Sequence, residues 1–166
     1  MTPHPASLPV DRLLEQCSTE RTRRSGPGGQ HRNKVETAVV ITHQPSGVRA
    51  EASERRSQAE NLTQAVFRLR VKLALKVRVD RPHGTSELWQ SRTVGSRLGI
   101  SPEHDDFPAI LAEALDVLAS LEWDLPKAAQ VLGVSASQLV RLLKLEGDAL
   151  GLLNAERGKV GLHRLT

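Results

Sequence analysis

The 166-residue chain has few aromatic residues, only Phe67, Trp89, Phe107 and Trp123, and no tyrosine. That scarcity argues against a surface that grips single-stranded nucleic acid by stacking bases on rings. A lone cysteine, Cys17, leaves no internal disulfide framework and no Cys-rich zinc site. No apolar run approaches the roughly 18 residues of a membrane span. The first residues, Met1-Thr2-Pro3-His4-Pro5, lack the basic start and apolar stretch of a secretory signal. A soluble, cytoplasmic protein with no membrane partner is expected. The length suits one ordinary domain or a compact domain with a smaller appendage. Charged residues at 25% argue against wholesale disorder, and apolar ones at 39% are few for one large core but enough for two small ones.

What the chain does have is an uneven distribution of charge. The formal net charge is +4. Residues 1–83 hold 15 Lys and Arg against 8 Asp and Glu, a surplus of +7. Residues 84–109 hold 2 against 4, and residues 110–166 hold 6 against 7. A polyanionic partner is therefore expected to meet the first half. The second half is near neutral, rich in Leu and Ala, and reads as helical.

Along the chain, Pro9 to Cys17 reads as a short helix and Ser18 to Arg24 as a strand. Three glycines and a proline fall within Gly26-Pro27-Gly28-Gly29, where neither helix nor sheet is favoured. Thr37 to His43 is β-branched and reads as a buried strand. Gln44-Pro45-Ser46-Gly47 has the residues of a type I turn, and Val48 to Ser53 alternates with Val48, Ala50 and Ala52 inward, so a hairpin is expected. Ser57 caps a long helix running to about Val79, with Leu62, Val66, Leu69, Leu73 and Val77 as its apolar stripe and Arg68, Lys72 and Lys76 as a basic one. Asp80 to Asp106 reads mostly as connection. From Phe107 helical periodicity returns, with Ile110, Leu111, Ala114, Leu115, Leu118 and Leu121 on one face. Asp124 and Ser135 are expected to cap two further helices, Ser135 with Gln138 as a capping box, and Asp148 a fourth. The expected fold class is α+β: a small domain over residues 1–83 with an antiparallel sheet packed on a long helix, a connection over 84–107, and an all-helical module over 108–166.

The glycine-dense segment fits neither the P-loop nor the dinucleotide spacing, which sets nucleotide binding aside. A plain flexible linker does not account for the Gln, His, Asn and Lys that follow at once. Ser25-Gly26-Pro27-Gly28-Gly29-Gln30-His31-Arg32-Asn33-Lys34 continues into Thr37-Ala38-Val39 and Ile41-Thr42-His43, then Pro45-Ser46-Gly47, Arg56-Ser57-Gln58 and Asn61. This ordered set resembles the catalytic domain of class I peptide chain release factors and of the related ribosome-rescue peptidyl-tRNA hydrolases. The resemblance covers about residues 18–80.

It implies hydrolysis of the ester joining a nascent peptide to tRNA, with the large-subunit ribosomal RNA and peptidyl-tRNA as partners. Gly28, Gly29 and Gln30 are then the catalytic residues. The glycines enter a narrow RNA-walled cavity without a side chain to clash. The Gln30 backbone N–H stabilises the tetrahedral oxyanion, and its amide shapes the water site. Gln is no general base and the loop has no carboxylate, so the chemistry is positioning and electrostatics, with no metal and no organic cofactor. Arg23, Arg24, Arg32 and Lys34 are candidate phosphate contacts, and Ser25, Gly26, His31 and Asn33 belong to the same RNA-facing loop. Arg55 and Arg56 either contact RNA or pair with Glu51 and Glu54. Arg68, Lys72 and Lys76 either meet RNA or form a solvated face. The chain departs from the family pattern at Pro27, Arg32, Arg55 and Leu62, which bears on RNA contacts more than on the chemistry.

The 24 residues before the loop leave no space for a stop-codon-reading domain, and residues 110–166 are no Lys/Arg-rich tail. The expected activity is codon-independent peptidyl-tRNA hydrolysis on the ribosome, in rescue or quality control. Two alternatives are a non-catalytic ribosome-binding regulator and a nucleic-acid binder with a vestigial Gly-Gly-Gln domain. The second arises because Lys127 to Ser135, followed by Gln138 to Lys144, looks like a helix-turn-helix with Gly133 at the turn. Its second helix offers Gln138, Arg141 and Lys144. Packing or docking of a protein partner, and nucleic-acid contact, are both open for it.

Overall fold

The computed structural model describes residues 2–23, 37–81 and 84–166, and their fold is α+β. A 3-10 turn at Pro5–Ser7 leads into helix α1 (Val10–Leu14). Strands β1 (Cys17–Thr22), β2 (Ala38–His43) and β3 (Arg49–Ala52) form an antiparallel meander with β2 in the centre. Helix α1 stops short of the expected Cys17 because that residue already pairs opposite His43, while the Gln16 carbonyl accepts the Gln44 N–H. At the β2–β3 corner the Gly47 N–H donates to the His43 carbonyl. Gly47 has a φ of +71°, a conformation costly for any residue with a Cβ. Beyond it Val48, Ala50 and Ala52 are buried and Arg49 and Glu51 exposed, the expected alternation.

Helix α2 (Gln58–Lys76) lies across β2 and β3. The Ser57 hydroxyl accepts the Glu60 N–H at 3.3 Å, the expected cap. Leu69 and Leu73 are buried against the sheet, and the fully buried Ala65 and Ala74 leave little between helix and neighbours. The helix ends at Lys76, earlier than its apolar period predicts. Val77 is extended, its carbonyl accepts the His4 Nε2–H at 3.0 Å, and the Val79 N–H turns to the Asp116 carboxylate.

The stretch read as connection contains helix α3 (Glu87–Ser91) and a minimal hairpin of β4 (Thr93–Val94) and β5 (Arg97–Leu98). Trp89 anchors it: the ring is buried and its indole N–H donates to the Leu132 carbonyl at 2.8 Å.

Helix α4 (Phe107–Ser120) is not one-faced as its period suggests. Every residue from Phe107 to Leu118 is buried, because α2 and the N-terminal turn pack on one side and later helices on the other. A helix enclosed on all sides is a core element. On it pack α5 (Leu125–Leu132) and α6 (Ala136–Lys144), while α7 (Gly147–Lys159) packs on α6 and α2. Asp124 accepts the Lys127 N–H at 3.0 Å and Ser135 the Gln138 N–H at 3.2 Å, as expected of both caps. The Gln138 side chain does not close a capping box; its Oε1 accepts the Leu98 N–H of the hairpin at 3.3 Å. The cap of α7 is Glu146, not Asp148, which sits in the first turn. In place of the two small cores expected from the composition, one apolar core among the described residues joins Ile41, Leu69 and Leu73 to Leu115, Leu139 and Leu153, because α4 packs against α2 as well as against the later helices.

Candidate functional site

Arg24, Ser25, Gly26, Gly28, Gly29, Gln30, His31, Arg32, Asn33 and Lys34 lie outside the described residues. The structure does describe what carries them. Strands β1 and β2 are in register with Thr22 opposite Ala38, so the chain leaves the sheet at Arg23 and re-enters it at Thr37 one strand away. The two legs are held differently. Residues Ala38 to Ile41 are buried, whereas β1 from Thr19 onward is exposed, as is Arg23. The returning leg is thus fixed by the core, and the outgoing leg by its ladder to β2.

Asn61 holds the returning leg. It is fully buried in the first turn of α2. Its Nδ2 donates to the Thr37 carbonyl at 2.7 Å and to the Arg55 carbonyl at 3.0 Å, and its Oδ1 accepts the Arg55 N–H at 3.0 Å. One amide side chain therefore ties together the loop's re-entry point, the Arg55 turn and the long helix. Only an amide offers two donors and an acceptor in that geometry, and burial makes each of these bonds costly to lose.

The turn after β3 presents Arg55 and Arg56 to solvent. The pairing with Glu51 and Glu54 considered for them does not form. Glu54 pairs instead with Arg68 at 2.6 Å, and that bond holds its carboxyl down at about 2. Arg68 also donates to the Glu51 carbonyl at 2.9 Å, and Lys72 Nζ to the Arg49 carbonyl at 3.0 Å. The basic stripe of α2 thus covers the open edge of β3, where unpaired carbonyls would otherwise invite another strand. Lys76 is exposed in the last turn of α2.

A second cluster was not foreseen. Glu113 and Asp116 sit on α4 at 2% exposure each. Arg78 reaches Asp116 at 3.3 Å, Arg81 reaches Glu113 at 3.4 Å, and Glu113 accepts the Ser86 N–H at 2.8 Å and its hydroxyl at 2.5 Å. Burial, opposed by the Arg78 charge, raises the Asp116 carboxyl to about 6. Burial lowers the neighbouring His4 to about 4, against the pull of its bond to Val77. The signal in the sequence is the spacing: two carboxylates three apart in an apolar helix, and two arginines three apart just after α2. This junction fastens the sheet's helix to α4. Among the described residues no group of His, Cys, Asp and Glu is placed to hold a metal ion, and no helix is long and apolar enough to cross a membrane. Cys17 is half-buried and burial pushes its thiol up, away from reactivity.

Comparison with known proteins locates this geometry. The RF-1 domain family model matches residues 13–97, just over half of the chain. The chloroplastic peptide chain release factor PrfB1 of Arabidopsis thaliana is 52% identical over 59 residues, which are 36% of this chain and 13% of that protein. Peptide chain release factor 1 of Chlorobaculum tepidum is 44% identical over 71 residues, 43% of this chain and 20% of the relative. Peptide chain release factor 2 of Haemophilus influenzae is 53% identical over 51 residues, 31% of this chain and 14% of the relative. The chain therefore spans a fifth or less of the length of these relatives.

Proposed function

Because this chain belongs to the RF-1 domain family, we propose that it hydrolyses the ester of peptidyl-tRNA on the ribosome, with residues 24–36 as the reaching loop. The observation that carries this is the clamp at Asn61. It fixes the point where the loop returns to the sheet, at Thr37, to the Arg55 turn and the long helix. A catalytic Gly28-Gly29-Gln30 segment with no acid or base of its own works only if its backbone is aimed, since a misplaced donor forfeits most of its effect.

In this reading Gly28 and Gly29 bring bare backbone to the ester carbon, and the Gln30 N–H donates to the oxygen on which charge develops. A water attacks, the ester C–O bond breaks, and the departing ribose oxygen takes a proton. Arg55 and Arg56, exposed beside the loop stem, and Lys76, exposed at the end of α2, are offered to RNA phosphates together with Arg23, Arg24, Arg32 and Lys34. Arg68 and Lys72 add charge to the same flank while bracing β3. The activity is proposed to be codon-independent, as in rescue or quality control. What supports this is that the helices after the family match share one apolar core with the sheet, so the described residues hold no separate unit that would read a codon.

The test is single-turnover peptide release from purified ribosomes carrying labelled peptidyl-tRNA, with a stop codon, a sense codon or no codon in the A site. Release is expected in all three, and Gly29→Ala is expected to lower it at least about 100-fold. Equal release by wild type and Gly29→Ala would sink the catalytic reading. Release confined to stop codons would sink codon independence.

A further inference from the structure

The helix-turn-helix pattern is left unused by peptidyl-tRNA chemistry, and the structure gives it a definite surface. Helices α5 and α6 are joined through Gly133, whose φ of +67° makes the sharp turn, and Ser135 starts the second helix. Both pack on α4 through Leu125, Ala128, Leu132, Leu139 and Leu143, so the apolar faces are already occupied within the chain. The opposite stripe of α6, Ser137, Arg141 and Lys144 at positions i, i+4 and i+7, is exposed. The β4–β5 hairpin is docked at the start of this helix. The Ser135 N–H donates to the Ser96 carbonyl, and Gln138 Oε1 accepts the Leu98 N–H. Arg97, between those two contacts, is exposed, and Val94 of the same hairpin is 81% exposed.

Pairing separates this face from most of the helical half, where Arg164 near the C-terminus is the other exposed Lys or Arg that pairs with no described residue. Arg92, Lys127 and Lys159 pair with Asp106, Asp124 and Glu156, and Arg157 donates to two backbone carbonyls. Arg97, Arg141 and Lys144 pair with no described residue. Two of the acidic residues that make residues 110–166 formally negative are Glu113 and Asp116, which face the interior. The outer face of α6 is therefore basic although its sequence neighbourhood counts as acidic.

We infer that α6 and the β4–β5 hairpin form a docking surface for double-stranded DNA, with α6 in the major groove and Arg97, Arg141 and Lys144 on phosphates or base edges. The B-form major groove, about 12 Å wide, admits a helix about 10–12 Å across. The deep, narrow major groove of A-form RNA does not.

The experiment is fluorescence anisotropy with the full chain, a labelled 20-base-pair DNA duplex and the RNA duplex of the same sequence, over 50–200 mM salt. The DNA duplex is expected to bind and the RNA duplex at least tenfold more weakly. The double variant Arg141→Gln/Lys144→Gln should weaken DNA binding at least tenfold and flatten the salt slope by about 2, since each lost phosphate contact removes about 0.9. Arg97→Gln should flatten it by about 1. Arg55→Gln/Arg56→Gln and Gly29→Ala should leave DNA binding unchanged, which keeps this surface separate from the release activity. The assignment is overturned by no DNA binding, by loss in the Arg55/Arg56 variant instead, or by RNA bound as tightly as DNA through Arg141 and Lys144, with the Arg141→Gln/Lys144→Gln variant weakening both duplexes equally.

Discussion

The sheet half and the helical half use their charged residues in opposite ways. Around the sheet, Arg55, Arg56 and Lys76 point to solvent, and Arg68 and Lys72 lie over an open strand edge. Three other arginines of that half turn inward. Arg70 donates to the Ala6 and Asp105 carbonyls, and Arg78 and Arg81 reach Asp116 and Glu113. The helical half answers with its two buried carboxylates and leaves Arg141 and Lys144 outside. A charge count by sequence segment therefore overstates the contrast between the halves, because part of each surplus is consumed where they meet.

The contrast can be broken from either side, and the largest expected effect is in the loop. Gln30→Pro removes the proposed oxyanion N–H and should lower peptide release by about 100- to 1,000-fold. Gln30→Ala, which keeps that N–H, should retain more. Single-turnover release with the melting temperature as control checks both, and equal loss in the two variants would move the role from backbone to side chain.

Next in size is Asn61→Leu. It removes all three Asn61 bonds, leaving the part-buried Thr37 and Arg55 backbone groups without these partners, and should cost about 3 kcal/mol in denaturant unfolding. Release should fall in Asn61→Asp even where the variant remains folded, because a carboxylate cannot donate to two carbonyls. A variant with full stability and full release would remove Asn61 from the positioning of the loop.

The junction between the halves predicts a cancellation. His4 is lowered in the fold, so the stability it contributes is complete above its ordinary value of 6.5 and is lost as pH falls towards about 4. Asp116 is raised, so its contribution is complete below its ordinary 3.8 and is lost as pH rises through about 6. Between pH 4 and 6 the two slopes oppose. Asp116→Asn should make stability fall more steeply on acidification than in wild type, and His4→Gln should make it fall less or rise. Urea midpoints at pH 4, 5, 6 and 7 read this directly, and identical profiles would remove the coupling.

The smallest effect is at the end of α4. Glu122 and Trp123 have φ of +53° and +62°, two successive residues in a region that favours glycine. Arg157 holds the second by donating to the Trp123 carbonyl at 2.8 Å. Glu122→Gly should raise stability by about 1 kcal/mol or less, a shift of a few degrees in a thermal melt. A lower melting temperature would show that the Glu122 side chain contributes more than the strain it bears.

The local elements were legible where one strong local rule acts. The β2–β3 hairpin follows from alternation and Gly47, and α2, α5 and α6 from Ser57, Asp124 and Ser135 at their starts. The Gly28-Gly29-Gln30 segment stood out because no regular structure tolerates it. What was missed depends on distant partners. Helix α2 ends early because the His4 ring and Asp116 capture the Val77 carbonyl and the Val79 N–H. Gln138 leaves its expected capping box for the hairpin, and Trp89 finds Leu132 from a stretch that carries no period.

The sequence by itself determined the strands on either side of the loop and the starts of α2, α5 and α6, because these rest on spacing, side-chain shape and caps within a few residues. Only the tertiary structure decided that α4 is buried on every side, that Glu113 and Asp116 meet Arg81 and Arg78, and that α6 keeps a basic face. Burial and charge pairing depend on which surfaces meet, and that is settled by packing across the whole chain.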